Sequence, residues 1–223
     1  MPPLARPASH RGLAGEVADQ VRTAILAGEL GPGAPLKEAD LMAEFDVSRS
    51  SAREGLLLLE GEGLVSSELH RGTRVRALEP EDVEELYTLR AALDGLAMRT
   101  AAKKGASFDA LDAVVEEMRH ARTNAERVAL DMKFHDAVYE VAGHRRLIES
   151  WRAIRSQIHL FLLARIDGDP TYRELVVPEH LNLAAVLRVG DVEQAASAAE
   201  EHLRGSYEKL VGRNDRPNRD SLD

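Results

Sequence analysis

LMAEFDVSRSSAREGLLLLEGEGLV, residues Leu41 to Val65, reads as two short helices joined by a tight turn. The second helix opens with Ser48, Arg49, Ser50, Ser51 and Arg53 and then turns apolar. A helix that enters a DNA groove needs small hydroxyl residues and arginines in its first turns, where they reach phosphates and base edges. Further along it needs apolar residues that anchor it to its own domain. The order of residues here meets both demands, and Ser48 stands where an N-cap is expected.

On the N-terminal side, Val17, Val21, Ala24 and Ile25 fall at helical spacing, which predicts a first helix over about 15–27 stopped by Gly28. Leu30-Gly31-Pro32-Gly33 is a turn, and a second helix follows over about 37–45 with Leu41, Met42 and Phe45 inward. Gly55 inside the third helix costs about 1 kcal/mol relative to alanine, so it marks either close packing or tolerance. After Gly61 and Gly63 the period becomes alternating. Leu64 to Ser67 and Thr73 to Arg76 read as two strands joined through His70-Arg71-Gly72, a β-hairpin with a basic tip. The expected first domain, residues 10–76, is therefore a winged helix-turn-helix.

The chain of 223 residues carries a net charge of −9, which argues against nucleic acid at first sight. Residues 1–78 hold nine Lys/Arg against eleven Asp/Glu, so neither part of the chain is basic. Affinity for DNA would have to come from Arg49, Arg53, Arg71, Arg74 and Arg76 gathered on one face, with Glu16, Glu29, Glu44 and Glu60 turned elsewhere. The absence of cysteine excludes disulfides and thiolate chemistry. The N-terminus has prolines where a signal peptide needs an apolar core, and no apolar run is long enough to cross a bilayer. A cytoplasmic protein with no membrane partner is expected.

Residues 77–80 read as a linker, with Pro80 at the first turn of a new helix and Glu81 and Asp82 as acids near its N-terminus. Beyond it no strand pattern occurs. Helices are expected at about 81–104, 108–122, 126–142, 145–166, 171–189 and 191–211, with breaks at Gly105, Gly143, Gly168 and Gly190. The fold class is mainly α: a winged helix-turn-helix followed by an all-α bundle over 81–212, with residues 213–223 as a disordered tail. Asp131 and His135 stand four apart and so share a helix face, and His180 and His202 lie on separate helices among apolar neighbours. By itself an Asp/His pair at this spacing is as often a surface contact, and a lone buried histidine is more often a hydrogen-bonded core residue than a ligand.

The run from Val17 to Val75 resembles the DNA-binding domain of GntR-type bacterial transcription regulators. The residues that carry the likeness are Gly28 to Gly33, Leu36 to Leu41, Val47-Ser48-Arg49, Arg53-Glu54, Glu62 to Val65 and Arg71-Gly72-Thr73. Two positions depart from the pattern: Ala52 replaces a larger apolar residue, and Gly55 stands where alanine is usual. Residues 83–205 resemble the FCD effector domain of the FadR-type branch, in which an aspartate and three histidines hold a divalent metal. The resemblance places those ligands at Asp131, His135, His180 and His202, and it implies DNA contacts from Ser48, Arg49, Ser50, Ser51, Arg53, Arg71 and Gly72.

One carboxylate and three imidazoles suit zinc first, with nickel, manganese or iron as alternatives, and leave coordination positions for another donor. The resemblance assigns Arg90 to a small carboxylate effector at that metal, the alternative being a surface arginine paired with Asp94 one turn on. Arg155 is a second candidate for the effector, while His144 and His159 read as surface or structural. The expected function is a homodimeric regulator, a repressor by preference, that binds a palindromic operator in double-stranded DNA and responds to a small organic acid. A metal-dependent hydrolase without the usual hydrolytic spacing, and a direct metal sensor, are the competing expectations.

Overall fold

The computed structural model describes residues 12–69, 71–105, 107–166 and 171–214, without the side chains of residues 165, 206 and 209–214. The expected domain start at residue 10, His70 of the wing, the break at Gly168 and nearly all of the expected tail lie outside the described residues. The chain divides into two compact units with the boundary between Ala77 and Leu78.

In the first unit α1 (Leu13–Leu26) buries Ala14, Val17, Ala18, Val21 and Ile25 on one stripe. The chain then reverses through Gly28, whose φ of +80° a residue with a side chain rarely adopts. A two-residue strand, β1 (Pro35–Leu36), leads into α2 (Glu38–Phe45). Asp46 follows in the left-handed region at φ 50°, and this single residue turns the chain into α3 (Arg49–Gly61). Aspartate is among the few residues that tolerate that conformation. Ser48 caps α3 as expected, its hydroxyl accepting from Ser51 N–H at 3.2 Å. The wing consists of β2 (Val65–Glu68) and β3 (Gly72–Val75), antiparallel with Val65 opposite Val75 and Glu68 opposite Gly72.

Sequence reading anticipates two strands, whereas the sheet has three, in the order β1-β3-β2. The short β1 pairs Pro35 with Arg74 and Leu36 with Thr73. Two residues carry no alternation, so only the tertiary pairing reveals that strand. Val75 N–H donates to Ala34 O and Gly33 N–H to Val75 O, both at 2.9 Å, and they tie the turn before α2 to the wing.

The packing of α3 on α1 explains Gly55. A Cβ at this position would meet the Ala14 carbonyl oxygen at 2.9 Å and Val17 Cγ1 at 3.0 Å. The glycine is thus a close-approach residue rather than a tolerated weakness. Ala52, one turn earlier, is completely buried. At the far end Arg22 of α1 forks onto Glu62 at 2.7 and 2.5 Å and also reaches Asp19.

The second unit contains α4 (Pro80–Lys104), α5 (Asp109–His120), α6 (Asn124–Ala142), α7 (Arg145–Ile166), α8 (Tyr172–Val189) and α9 (Val192–Asn214). All six expected helices are present, and α9 runs past its expected end into the first two residues of the expected tail. Glu79 N–H donates to Asp82 at 3.0 Å, and Thr123 and Glu126 form a reciprocal capping box that starts α6. The α4 and α6 helices show little one-sided amphipathicity because α6 is covered by α4, α5, α7 and α8. Phe134, Tyr139 and Trp151 form the heart of the core. No helix among the described residues is long and apolar enough to cross a membrane.

Gly55→Ala is expected to destabilise the chain by about 1–3 kcal/mol, because overpacking against a backbone carbonyl outweighs the roughly 1 kcal/mol gained in helix propensity. Urea unfolding followed by circular dichroism measures it, and an unchanged or raised midpoint would refute the close-packing account.

Candidate metal centre and nucleic-acid interface

Three helices of the second unit contribute to one buried polar cluster. From α6 come Asp131 and His135, one turn apart; α8 supplies His180 and α9 supplies His202. One ligand atom from each lies within 4.8 Å of every other. Asp131 Oδ1 stands 3.8 Å from His135 Nε2, and Asp131 Oδ2 stands 3.5 Å from His180 Nε2. Donors sharing one ion at metal–ligand distances near 2.1 Å are separated by roughly 3.0–3.5 Å, so these two pairs are close to ligand spacing while the widest pair would have to draw together by about 1 Å.

Most of the remaining polar atoms of these side chains face protein groups. His180 Nδ1 meets the Val176 carbonyl at 2.6 Å, which leaves Nε2 as a lone pair turned toward the cluster. Pro178 interrupts the α8 hydrogen-bond ladder in the same turn. His135 Nδ1 faces Asp94 Oδ2 on α4 at 3.4 Å, and His202 Nδ1 faces Glu179 Oε2 on α8 at 3.2 Å. The Tyr172 hydroxyl donates to Asp131 Oδ2 at 2.9 Å. Asp131 Oδ1, His135 Nε2 and His180 Nε2 remain buried with no hydrogen-bond partner, as does His202 Nδ1 on its Glu179 side. Three orphaned acceptors from two helices converging on one point is a costly arrangement without a cation and a favourable one with it. The donor set therefore fits a divalent metal.

Electrostatics prepares the same protonation state. Burial pushes the His135 imidazole well below its ordinary value, and the nearby Arg90, His202 and His180 push it further. His180 is lowered to about 4 by burial, against the pull of Asp131. For Asp131 burial acts upward, but His180, Arg90, His202 and the Tyr172 hydroxyl together hold its carboxyl below the usual range. A carboxylate with at least two neutral imidazoles is the form a metal binds.

Arg90 is not a surface residue. It is buried, with Nε donating to Asp94 Oδ2 at 3.2 Å and its guanidinium 5.7 Å from the Trp151 ring. Its Nη2 is a buried donor without a partner. Arg155, by contrast, is not brought to the cluster: it forks onto Asp136 at 2.8 and 2.9 Å beside a separate cleft lined by Trp151 and Arg152. His144 is exposed and accepts from Leu147 N–H at the start of α7, and His159 is buried. Asp94, Tyr139 and Tyr172 escaped the sequence reading as parts of this site. Only the Arg90/Asp94 spacing offered a signal.

A cavity of about 10 Å³ adjoins His135 and His202, enclosed by Asp94, Met98, Leu183 and Ala199. It has room for a single water.

In the first unit Ser48, Arg49, Ser50 and Arg53 are exposed at the start of α3, and Ser51 is half-buried. The hydroxyl of Ser48 lies 2.9 Å from that of Ser50 and 3.0 Å from that of Ser51. Arg49 Nε is 3.7 Å from Glu38, and Arg71 of the wing is 3.1 Å from Glu68, both as exposed pairs. Gly72, at φ +74°, turns the wing. Arg74 donates to the Gly33 carbonyl at 2.9 Å and so braces the sheet.

A winged helix-turn-helix followed by an all-helical bundle with a buried Asp/His cluster defines a two-domain transcription regulator. Residues 13–75 match the family model for bacterial regulatory proteins of the gntR family, and residues 85–205 match that of the FCD domain. The chain belongs to the GntR family, in the group that carries an FCD domain. It is 29% identical to the probable D-xylose utilization operon transcriptional repressor of Paenarthrobacter nicotinovorans, over 86% of this chain and 85% of that protein. It is 33% identical to the transcriptional repressor NanR of Klebsiella aerogenes, over 89% and 85%. A GntR transcriptional regulator from Rhodococcus sp. RHA1 has the same fold, with TM-score 0.82 at 24% identity, covering 89% of this chain and 97% of that one. The family consists of regulators, so the hydrolase alternative falls.

His180 is lowered when folded, so it stabilises the metal-free chain above the unfolded value of about 6.5, and this contribution is lost as pH falls toward 4. With chelator present, the melting temperature is expected to drop steadily over that window, on the order of 3 kcal/mol from His180. His180→Gln should flatten the profile. A pH-independent melting temperature in the wild-type chain would refute the buried neutral imidazole.

Proposed function

We propose that this chain is a repressor whose affinity for its operator is set by a small carboxylate bound at a divalent metal in the helical unit. The convergence of orphaned donors from Asp131, His135 and His180, with His202 beside them, carries the reading. Zinc fits one carboxylate and three imidazoles first, with nickel, manganese or iron as alternatives. Arg90 supports the carboxylate, since its Nε is anchored on Asp94 while its buried Nη2 stays available for an anion. Arg155 is committed to Asp136 and is the weaker candidate for that role.

On the DNA side, Ser48, Arg49, Ser50, Ser51 and Arg53 of α3 meet the major groove, and Arg71 and Gly72 of the wing approach the neighbouring backbone. A homodimer places two such helices on a palindromic site with half-sites about one helical turn apart. The two similar proteins named as repressors support negative control. The protein acts on chromosomal DNA in the cytoplasm.

The cavity beside His135 and His202 admits only a water-sized donor, so a larger carboxylate displaces Met98 or Leu183. That displacement gives the ligand different affinities for two states of the bundle, which a switch requires. The same small cavity also favours a second reading, in which the metal alone is the signal.

Fluorescence anisotropy with DNA from upstream of the protein's own gene separates these readings. Arg49→Ala and Arg53→Ala are each expected to weaken binding by about 1–3 kcal/mol, and wild-type affinity should fall steeply with salt. Binding that ignores salt would overturn the DNA assignment. Zinc alone changing the affinity supports the metal sensor, and a change that needs both zinc and a carboxylate supports the effector reading.

A further inference from the structure

Asp94 is a buried carboxylate with three neighbours that fix it. Tyr139 donates to its Oδ1 at 2.6 Å, Arg90 Nε donates to its Oδ2 at 3.2 Å, and His135 Nδ1 faces the same Oδ2 at 3.4 Å. The carboxylate is almost wholly shielded from solvent, as are Arg90 and Tyr139. Trp151 closes the network by stacking on Tyr139 at 4.9 Å between ring centroids and lying under the Arg90 guanidinium.

A buried arginine–carboxylate pair is rarely kept for stability alone, because desolvation cancels much of its Coulomb gain. Here the pair has a further consequence. An anion fixed against His135 Nδ1 selects the tautomer with its proton on Nδ1 and exposes Nε2 as a lone pair. Nε2 is the orphaned atom that faces Asp131. His180 reaches the same tautomer through the Val176 carbonyl of its own helix. His135 uses a carboxylate from another helix, a partner that also raises imidazole basicity.

We infer that Asp94 is a positioning residue for the metal: it orients His135 and raises its donor strength, with Arg90 and Tyr139 holding Asp94 in place. This rests on the metal reading above. Through Asp94 the metal site is joined to α4, the helix that the linker enters, although α4 supplies no ligand of its own.

The test uses the full-length chain, stripped with chelator and reloaded with Co²⁺. Affinity is read by chelator competition, the ligand field by visible absorption, and the imidazole N–H protons by paramagnetic NMR in water. Asp94→Asn is expected to weaken Co²⁺ binding by about 10- to 100-fold, to shift the d–d bands, and to speed exchange of one imidazole N–H signal while the others persist. Asp94→Glu should recover part of the affinity. Tyr139→Phe removes one restraint on Asp94 and leaves the ion pair intact. It keeps the test decisive if Asp94→Asn fails to fold, and it should weaken binding several-fold with the same N–H signal affected.

Variants that fold, bind Co²⁺ within twofold of wild type and keep every N–H signal would overturn the role of Asp94 alone. A wild-type chain that takes up no Co²⁺ would overturn the metal reading and this one with it.

Discussion

Burying acceptors that no protein donor meets is the constraint around which the helical unit is arranged. Asp131, His135 and His180 give up their hydration inside a bundle whose other buried residues are mostly aliphatic and aromatic. Each such group costs about 1–3 kcal/mol when left unsatisfied, so three together rival the net stability of a small domain. Helices α6, α8 and α9 carry the donors, and the whole of α7 separates α6 from the other two in the chain. A cation at their meeting point would act as a crosslink among three elements that otherwise adhere by side-chain packing.

The surrounding residues lower the cost of waiting for that cation. Neutral imidazoles are cheaper to bury than imidazolium ions, and their lowered protonation keeps them neutral. The one carboxylate of the cluster, Asp131, keeps its second oxygen on the Tyr172 hydroxyl. Arg90 lies near enough to favour the ionised form of Asp131 and to oppose protonation of His135. A single buried arginine thus biases both groups toward the state a metal needs, and it is itself balanced by Asp94. Removing either member of that pair leaves an uncompensated charge in the core, which ties the electrostatics of the site to the integrity of α4.

Element types were legible because their signals are local. The period change after Gly63, the Ser48 cap and the glycine breaks of the bundle follow from backbone conformation and side-chain spacing, and the ends of the expected helices differ from those observed by up to three residues. The Asp/His cluster was legible only as a pattern, since no spacing in the chain says that α6, α8 and α9 converge. What could not be read was tertiary in origin. Strand β1 exists because β3 lies beside it, and the meaning of Gly55 depends on the Ala14 carbonyl 41 residues earlier. Arg90 could be seen to pair with Asp94, but burial turned that pair from a surface contact into part of the site. Tyr172 and Tyr139 carry no motif at all; they matter because folding aims their hydroxyls at two carboxylates.

The acidic balance of the DNA-binding unit follows from the same physics at the surface. Arg49 and Arg71 already have partners in Glu38 and Glu68, but these pairs are exposed. An exposed pair contributes at most about 1 kcal/mol, which a phosphate oxygen on a duplex readily exceeds. The glutamates therefore would not prevent the proposed contact; they would lower the affinity of each arginine for any polyanion by a similar amount. Non-specific binding, which is almost wholly electrostatic, loses more of its total than specific binding, which adds base-edge contacts. A reader helix with acidic neighbours gives up strength to gain discrimination. On the proposed effector reading, a coupling of only about 1–3 kcal/mol from a distant ligand would be enough to release an operator complex held by a modest margin.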